Sequence, residues 1–465
     1  MAARLACLLL SLLPFFTFLP FSISTPTYLS FPLTNRDART SLIRAPEADP
    51  SDLPQEMALK DIVAAGRAMK ARESMRNRTR GKRHAPHLLK GSFSYLNVIV
   101  GDFYLLTSVG NPPQQLTFLL DTGSELTFTK CKPCLKCNKT EAPLFEFSKS
   151  SSYTQVSCNS PLCIQSLGFT RNACGGNVSS GNCSFTLQYG DGSMDAGYIS
   201  VDSFHLSKEV LKAIVFGCAV VDIDTVGDPS SGVMGLNAGP FSFPSQVLGG
   251  SSKLANKFAY CLPDRFKNLN SLGTIVFGDY THPSKLSYTP LVPPYGPLAH
   301  LYYFVKLEGI SVGGKFIKSI LKQEGTNVVG TIFDSGTALS HLVEPLLSNL
   351  VEEMRNQTAH LHPFSMKDFA SDVCYKVPLD LTELPKVPLV IMHFAGGMKL
   401  ELGPESLLYP NGNDNKHAFM CLAFAEALSG SPLNIIGNHQ QQNYWVEYNL
   451  NAFKIGIAKA ACGKK

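Results

Sequence analysis

The sequence predicts an all-β protein of two pseudo-symmetric lobes that face one central cleft. Three observations carry that prediction. The 37 glycines and 30 prolines among 465 residues fall on turns throughout, which favours many short strands over a helical bundle. Hydrophobic residues make up 44% and charged residues only 17%, below the roughly 25% usual for soluble domains. That balance supplies a sizeable core and excludes intrinsic disorder as the dominant state. Finally, an aspartate-centred motif occurs once in each half with matching flanks, as an internal duplication leaves it.

Four segments follow in chain order. Residues 1–24 read as a secretory signal: Arg4, the apolar run Leu5–Pro20 interrupted by Pro14, then the small and polar Ser22–Thr25. The run is shorter than the ~20 apolar residues of a span, and no later stretch reaches that length, so no membrane span is expected after signal removal. Residues 25–90 read as a prosegment. They lack cysteine, carry a helical pattern over Leu53–Met75 (Met57, Ile62, Val63, Met69), and end in the basic run Arg72, Arg76, Arg78, Arg80, Lys82, Arg83. Residues 91–288 and 289–465 are the two lobes, opening with β-like alternation from Phe93 to Val109.

Charge and cysteine distribution support this order. Residues 1–90 hold 14 Lys/Arg against 7 Asp/Glu, whereas the remainder is nearly balanced, so the folded body has no basic footprint for nucleic acid. Cys7 leaves with the signal. The other twelve (Cys131, Cys134, Cys137, Cys158, Cys163, Cys174, Cys183, Cys218, Cys261, Cys374, Cys421, Cys462) form an even set, as expected of disulfides in an oxidising compartment. Glycosylation sequons stand at Asn77, Asn138, Asn177, Asn182 and Asn356.

The repeat carries the chemistry. Leu119-Leu120-Asp121-Thr122-Gly123-Ser124 matches Ile332-Phe333-Asp334-Ser335-Gly336-Thr337. Downstream stand Val233-Met234-Gly235 and Ile435-Ile436-Gly437, again one per half. The apolar pairs imply buried strands, and the glycines allow close backbone approach. Two lobes related by a pseudo-two-fold bring both aspartates to one cleft. Like charges a few ångströms apart cannot both ionise, so one carboxyl keeps a proton. The ionised group then acts as general base on a water while the protonated one polarises a carbonyl. Two separate Asx turns would use the same residues; the matched downstream elements argue for the pair.

With these motifs the chain resembles the pepsin-like aspartic endopeptidases, and within them the plant nepenthesin-type group, over about residues 100–465. The resemblance implies the bilobal pepsin-like fold, catalytic Asp121 and Asp334, cross-linking of the two loops by Thr122 and Ser335, and orientation of the carboxylates by Ser124 and Thr337. Tyr189-Gly190-Asp191-Gly192-Ser193 stands where the family has its hairpin flap, with Tyr189 as the flap tyrosine, and Ile435–Asn443 is similar to the nepenthesin-type ending. The implied disulfides are Cys131–Cys134, Cys137–Cys218, Cys158–Cys183, Cys163–Cys174, Cys261–Cys462 and Cys374–Cys421. Two positions depart from the family: Phe128 replaces a tryptophan whose N–H binds the flap tyrosine, and Asp195 replaces a threonine.

Other signatures fail. Gly309-x-x-x-x-Gly314-Lys315 approaches a phosphate loop but continues with Phe316, and its neighbours Tyr302–Ile310 and Lys315–Ile317 suggest a hairpin. Cys131-x-x-Cys134-x-x-Cys137 lacks a clear fourth-ligand motif, so no metal is expected. Gly-x-Ser-x-Gly and His-Glu-x-x-His do not occur. The expectation is a monomeric, secreted, acid-acting endopeptidase for proteins or peptides, without cofactor, exported to the cell wall or vacuole. It would be made as a zymogen converted near Lys82-Arg83 or within roughly the next ten residues. The alternative is a binding protein on the same scaffold, such as a glycosidase inhibitor.

Overall fold

The computed structural model describes residues 102–137, 142–166, 174, 181–190, 192–206, 209–223, 230–249, 255–264, 273–280, 285–292, 301–319, 330–366, 373–379, 384–427 and 433–463, together with the backbone of 28–35. The signal, the helix expected over Leu53–Met75 and the basic run lie outside these residues.

Strands dominate. β1 (Tyr28–Asn35), β2 (Phe103–Val109), β3 (Gln114–Asp121) and β4 (Phe128–Lys132) belong to one large sheet. β2 and β3 form an antiparallel hairpin in register from Tyr104↔Leu119 to Val109↔Gln114. The sheet continues through Gly232–Gly235, β4, Glu209–Ile223 and Met194–Leu206 on one side. On the other it runs through β1, Gly273–Gly278, Lys257–Cys261 and the C-terminal strands Tyr444–Asn449 and Lys454–Lys459. The two halves therefore share a sheet. Among the described residues three smaller sheets lie in the second half, one of them built from Gly330–Phe333, Leu433–Ile436, Ser340–Leu342 and Phe424–Glu426.

Residues 28–35, inside the stretch read as a prosegment, are a strand of the shared sheet. β1 pairs with Gly273–Gly278 from Tyr28↔Gly278 to Leu33↔Gly273, and with β2 from Leu33↔Leu105 to Asn35↔Phe103.

One buried core runs through both halves. Phe118, Phe204, Phe216, Phe243 and Phe277 meet in successive ring contacts, and Phe258 stacks on Tyr448 at 4.6 Å between centroids. Each such side chain removed from water contributes about 1.5–3 kcal/mol. A second cluster, Leu126, Phe128, Phe185, Ile199 and Val233, lies under the hairpin made by Ser184–Gln188 and Met194–Leu206. Leu346–Gln357, with Leu346, Leu347, Leu350 and Met354 buried at helical spacing, is the longest described helix. No helix among the described residues is long and apolar enough to cross a membrane. The near-phosphate-loop motif is the hairpin Leu307–Val312/Lys315–Lys318, turning at Gly313 and Gly314 with φ of 54° and 95°.

The disulfides correct four of the six implied pairs. Cys261–Cys462 and Cys374–Cys421 join as the resemblance implies. Cys131 instead bridges Cys218, and Cys134 bridges Cys137. The reason is register: β4 runs parallel to Glu209–Ile223 with Thr129 opposite Cys218, which brings the Cα atoms of 131 and 218 to 5.6 Å. Cys158 pairs with Cys174 and Cys163 with Cys183, in place of 158–183 and 163–174. The sulfurs of Cys163 and Cys174 nevertheless lie 3.6 Å apart, so the two bridges are neighbours and spacing alone does not select the pairing.

Candidate active site

Each aspartate ends or follows a buried strand that its own half supplies. Asp121 closes β3, and Gly232–Gly235 lies parallel to it with Gly235 opposite Asp121. In the second half Leu433–Ile436 lies parallel to Gly330–Phe333 with Ile436 opposite Phe333, and Asp334 N–H donates to Ile436 O. The downstream apolar-apolar-Gly elements of the sequence are thus the strands that flank the two aspartates. Beyond them, Asn237 N–H donates to Ser124 O and Asn438 N–H donates to Thr337 O, one bond per half.

The two loops interlock. Thr122 N–H donates to Ser335 Oγ at 3.1 Å, and Ser335 N–H donates to Thr122 Oγ1 at 2.9 Å. Thr122 Oγ1 donates to Phe333 O, and Ser335 Oγ donates to Leu120 O. All four bonds join residues more than 200 apart in the chain. The glycines complete the exchange. A Cβ on Gly123 would meet Asp334 Oδ2 at 2.6 Å, and a Cβ on Gly336 would meet Asp121 Oδ1 at 2.4 Å. Each carboxylate therefore rests on the glycine of the opposite motif, and only glycine fits there. Both aspartates are 7% exposed.

Hydrogen bonding within the pair is unequal. Asp334 accepts from Gly336 N–H and from the Thr337 hydroxyl, at 2.9 and 2.7 Å. Asp121 accepts from Gly123 N–H at 2.8 Å. The Ser124 hydroxyl is buried beside it and lowers its pKa, yet forms no hydrogen bond of ordinary geometry. Burial first, and the charge of Asp334 second, push Asp121 well above the ordinary carboxylate range. Burial and the neighbouring charge thus favour the protonated form of Asp121, while Asp334 accepts one hydrogen bond more than Asp121 does. Such a pair can activate one water and protonate one substrate oxygen.

Tyr189 is half-buried at the end of the hairpin, with its ring centroid 6.5 Å from that of Phe128. Tyr189 N–H donates to Ser193 O and Gly192 N–H donates to Tyr189 O, closing the tip, where Gly192 has φ 91°. Gly190 is exposed, and Asp191 lies outside the described residues. Asp195 is buried directly opposite Asp222 on the neighbouring strand. Of the sequons, Asn182 and Asn356 are exposed, Asn182 donating to Gln155 Oε1; Asn77, Asn138 and Asn177 lie outside the described residues. Among the described residues the cluster with metal-ligand proximity is Cys158, Cys163 and Cys174, whose sulfurs are engaged in disulfides.

Sequence reasoning missed several supporting groups. Asn438, His439, Gln440 and Gln441 form a short, wholly buried polar helix beneath the second loop. Asn438 donates to Ser335 O, Gln441 donates to Asp334 O and Ile436 O, and Tyr260 OH donates to Gln441 Oε1. The signal was present: a polar run directly after a buried apolar strand must find partners inside. Tyr302 was also missed. Its hydroxyl is pushed up to about 12, by burial first and then by the charges of Asp334 and Asp121, which locates it within the field of the dyad. Tyr303 OH donates to Asn237 O, tying the second half to the first.

The chain is similar to known proteins over most of its length. Residues 103–279 match the family model described as xylanase inhibitor N-terminal, and residues 302–459 the model described as xylanase inhibitor C-terminal. Aspartyl protease family protein 2 of Arabidopsis thaliana is 31% identical over 78% of this chain and 71% of its own length. Aspartic proteinase nepenthesin-1 of Nepenthes gracilis is 29% identical, covering 78% of each chain. Among solved structures, basic 7S globulin from soybean superposes with a TM-score of 0.61 at 17% identity, covering 78% of this chain and 95% of that one. The structure of edgp superposes with a TM-score of 0.60, also at 17% identity, covering 77% and 92%. At that identity these two establish the fold alone: all-β, bilobal and pepsin-like.

Proposed function

The chain belongs to the plant aspartyl protease family, nepenthesin-1 among its relatives, and on that premise we propose that it is an aspartic endopeptidase acting through Asp121 and Asp334. The observation that carries the reading is the reciprocal seating of each carboxylate on the other motif's glycine. A water held between the carboxyls loses a proton to Asp334 as it attacks the peptide carbonyl, while Asp121 donates its proton to the carbonyl oxygen. Collapse of the tetrahedral species then breaks the C–N bond as Asp334 passes its proton to the leaving amine nitrogen. Asp121 takes one back from a hydroxyl of the diol, which becomes the carboxylic acid. The hairpin bearing Tyr189 closes over the bound peptide and limits water, and an extended peptide is held by backbone hydrogen bonds. The reading includes secretion and a zymogen form, in which the basic prosegment pairs with carboxylates near neutral pH and is released when acid protonates them.

The test is cleavage of a denatured globin by processed protein across pH 2–6. Cleavage blocked by a transition-state-like peptide inhibitor, and reduced at least about 10³-fold in Asp121→Asn, is the expected result. The second reading, a non-catalytic binding protein, has a specific observation behind it: the matching family models carry the xylanase inhibitor description. Complete absence of cleavage, with tight binding of a glycosidase, would replace the first reading by this one.

A further inference from the structure

Under the Tyr189 hairpin lies a set of buried charges that the dyad does not use. Lys130 stands on β4 two residues beyond Phe128, and residues two apart on a strand share a face. Its side chain is 3% exposed, and its ammonium lies 3.0 Å from Asp222 Oδ2. Asp222, itself 3% exposed, is directly opposite Asp195 across the antiparallel ladder of Glu209–Ile223 and Met194–Leu206. Directly opposed side chains project from the same face with Cβ atoms about 5 Å apart. Asp195 is 5% exposed, so a buried ammonium, its paired carboxylate and a second buried carboxylate follow one another across neighbouring strands.

Asp195 belongs to the returning strand of the hairpin and pairs with Leu187 on its outgoing strand. The hairpin thus meets β4 directly at Phe128 and, through Asp222, is linked to Lys130, the next β4 residue on that face. At Phe128 the contact is ring to ring, with Tyr189 at 6.5 Å and Phe185 at 6.4 Å. That contact is apolar and weakly directional, since phenylalanine has no donor. At Lys130 the link is ionic, dry and indirect: its ammonium pairs with Asp222, which the ladder sets opposite Asp195. Lysine is almost never buried to this degree without paired charges, and the pairing is sensitive to distance.

We propose that Lys130, acting through Asp222 and Asp195, is a positioning residue that sets the height and orientation of the hairpin above the dyad. This rests on the endopeptidase reading of the hairpin as a lid. The group touches no substrate; it holds the returning strand of the hairpin whose tip carries Tyr189.

Two variants test it in the full chain. Asp195→Asn keeps a one-to-one Lys130–Asp222 pair while removing the tie to the returning strand. In it, hydrogen–deuterium exchange of amides 184–197 should accelerate about tenfold, with β2 and β3 unchanged. KM for a cleaved peptide should rise about fivefold with kcat held within about twofold, the signature of lost substrate positioning. Lys130→Met should exaggerate both effects; should it fail to fold, Asp195→Asn decides alone. Unaltered hairpin exchange in Asp195→Asn, or acceleration spread evenly over β2 and β3, overturns the proposal. Wild-type protein that cleaves no peptide would remove the endopeptidase reading, while the exchange measurement would still decide the role of Lys130.

Discussion

At the scale of single residues, the site is held by atoms that each motif lends to the other. Thr122 and Ser335 exchange backbone and hydroxyl bonds, and Gly123 and Gly336 exchange space. Beside this lock, Glu125 is a further buried acid. It accepts from Phe241 N–H at 2.9 Å, and its carboxyl presses on Gly239, where a Cβ would lie 2.1 Å from Cδ. Burial pushes Glu125 up to about 7 from an ordinary 4.5, only partly offset by the Phe241 bond. The folded state therefore binds this proton more tightly than the unfolded one, and stability falls as pH rises from about 4.5 through 7. Glu125→Gln retains an acceptor for Phe241 without the charge. Its melting temperature should equal wild type at pH 4 and exceed it by about 4 °C at pH 8, as a thermal melt series would show. A wild-type advantage at pH 8 would mean that the ionised group is paired in the fold. Glu125 was legible as a residue but not as a buried one. Only the return of Gly235 and Gly239 over the Asp121 loop encloses it.

At the scale of elements, the hairpins and the two aspartate-bearing strands were readable from alternation and glycine turns, because these depend on neighbours in sequence. β1 was not. Tyr28–Asn35 lies in the stretch read as removable, and what makes it a strand is the pair of edges that β2 and Gly273–Gly278 offer it. A strand edge left open exposes a row of unpaired N–H and C=O groups. A chain lacking residues 25–54 should accordingly show about tenfold faster hydrogen exchange at Phe103–Leu105 and Gly273–Gly278 than the full precursor, read by mass spectrometry. Unchanged protection would mean that another segment takes the position of β1. The cysteine pairings were illegible for a related reason. Cys131 meets Cys218 because β4 runs parallel beside Glu209–Ile223, a register that spacing does not encode.

At the scale of the molecule, the shared sheet joins the C-terminal strands to the first half, and Cys261–Cys462 fastens that junction. Its sequence separation of 201 residues is the longest of the six bridges. Long closed loops gain most from cross-linking, and removing such a native bridge typically costs 2–5 kcal/mol. The double variant Cys261→Ser/Cys462→Ser should therefore lose about 3–5 kcal/mol in urea unfolding, with the dyad geometry retained and cleavage still measurable below the transition. A loss under about 1 kcal/mol would show that aromatic packing of Tyr448 on Phe258 and Tyr303 holds the junction by itself.

By itself the sequence determined the all-β class, the duplication, and the two acids with their Thr/Ser and glycine companions. Those features are written in short motifs whose chemistry is local. Tertiary structure alone decided which acid keeps the proton, because that depends on the burial of Asp121 and on the charge of Asp334 that the other half sets beside it. It decided that Asp195 joins Lys130 and Asp222, that Asn438 and Gln441 brace the second loop, and that β1 enters the shared sheet. Each outcome is a contact between residues tens to hundreds of positions apart, set by strand register and by the meeting of two halves.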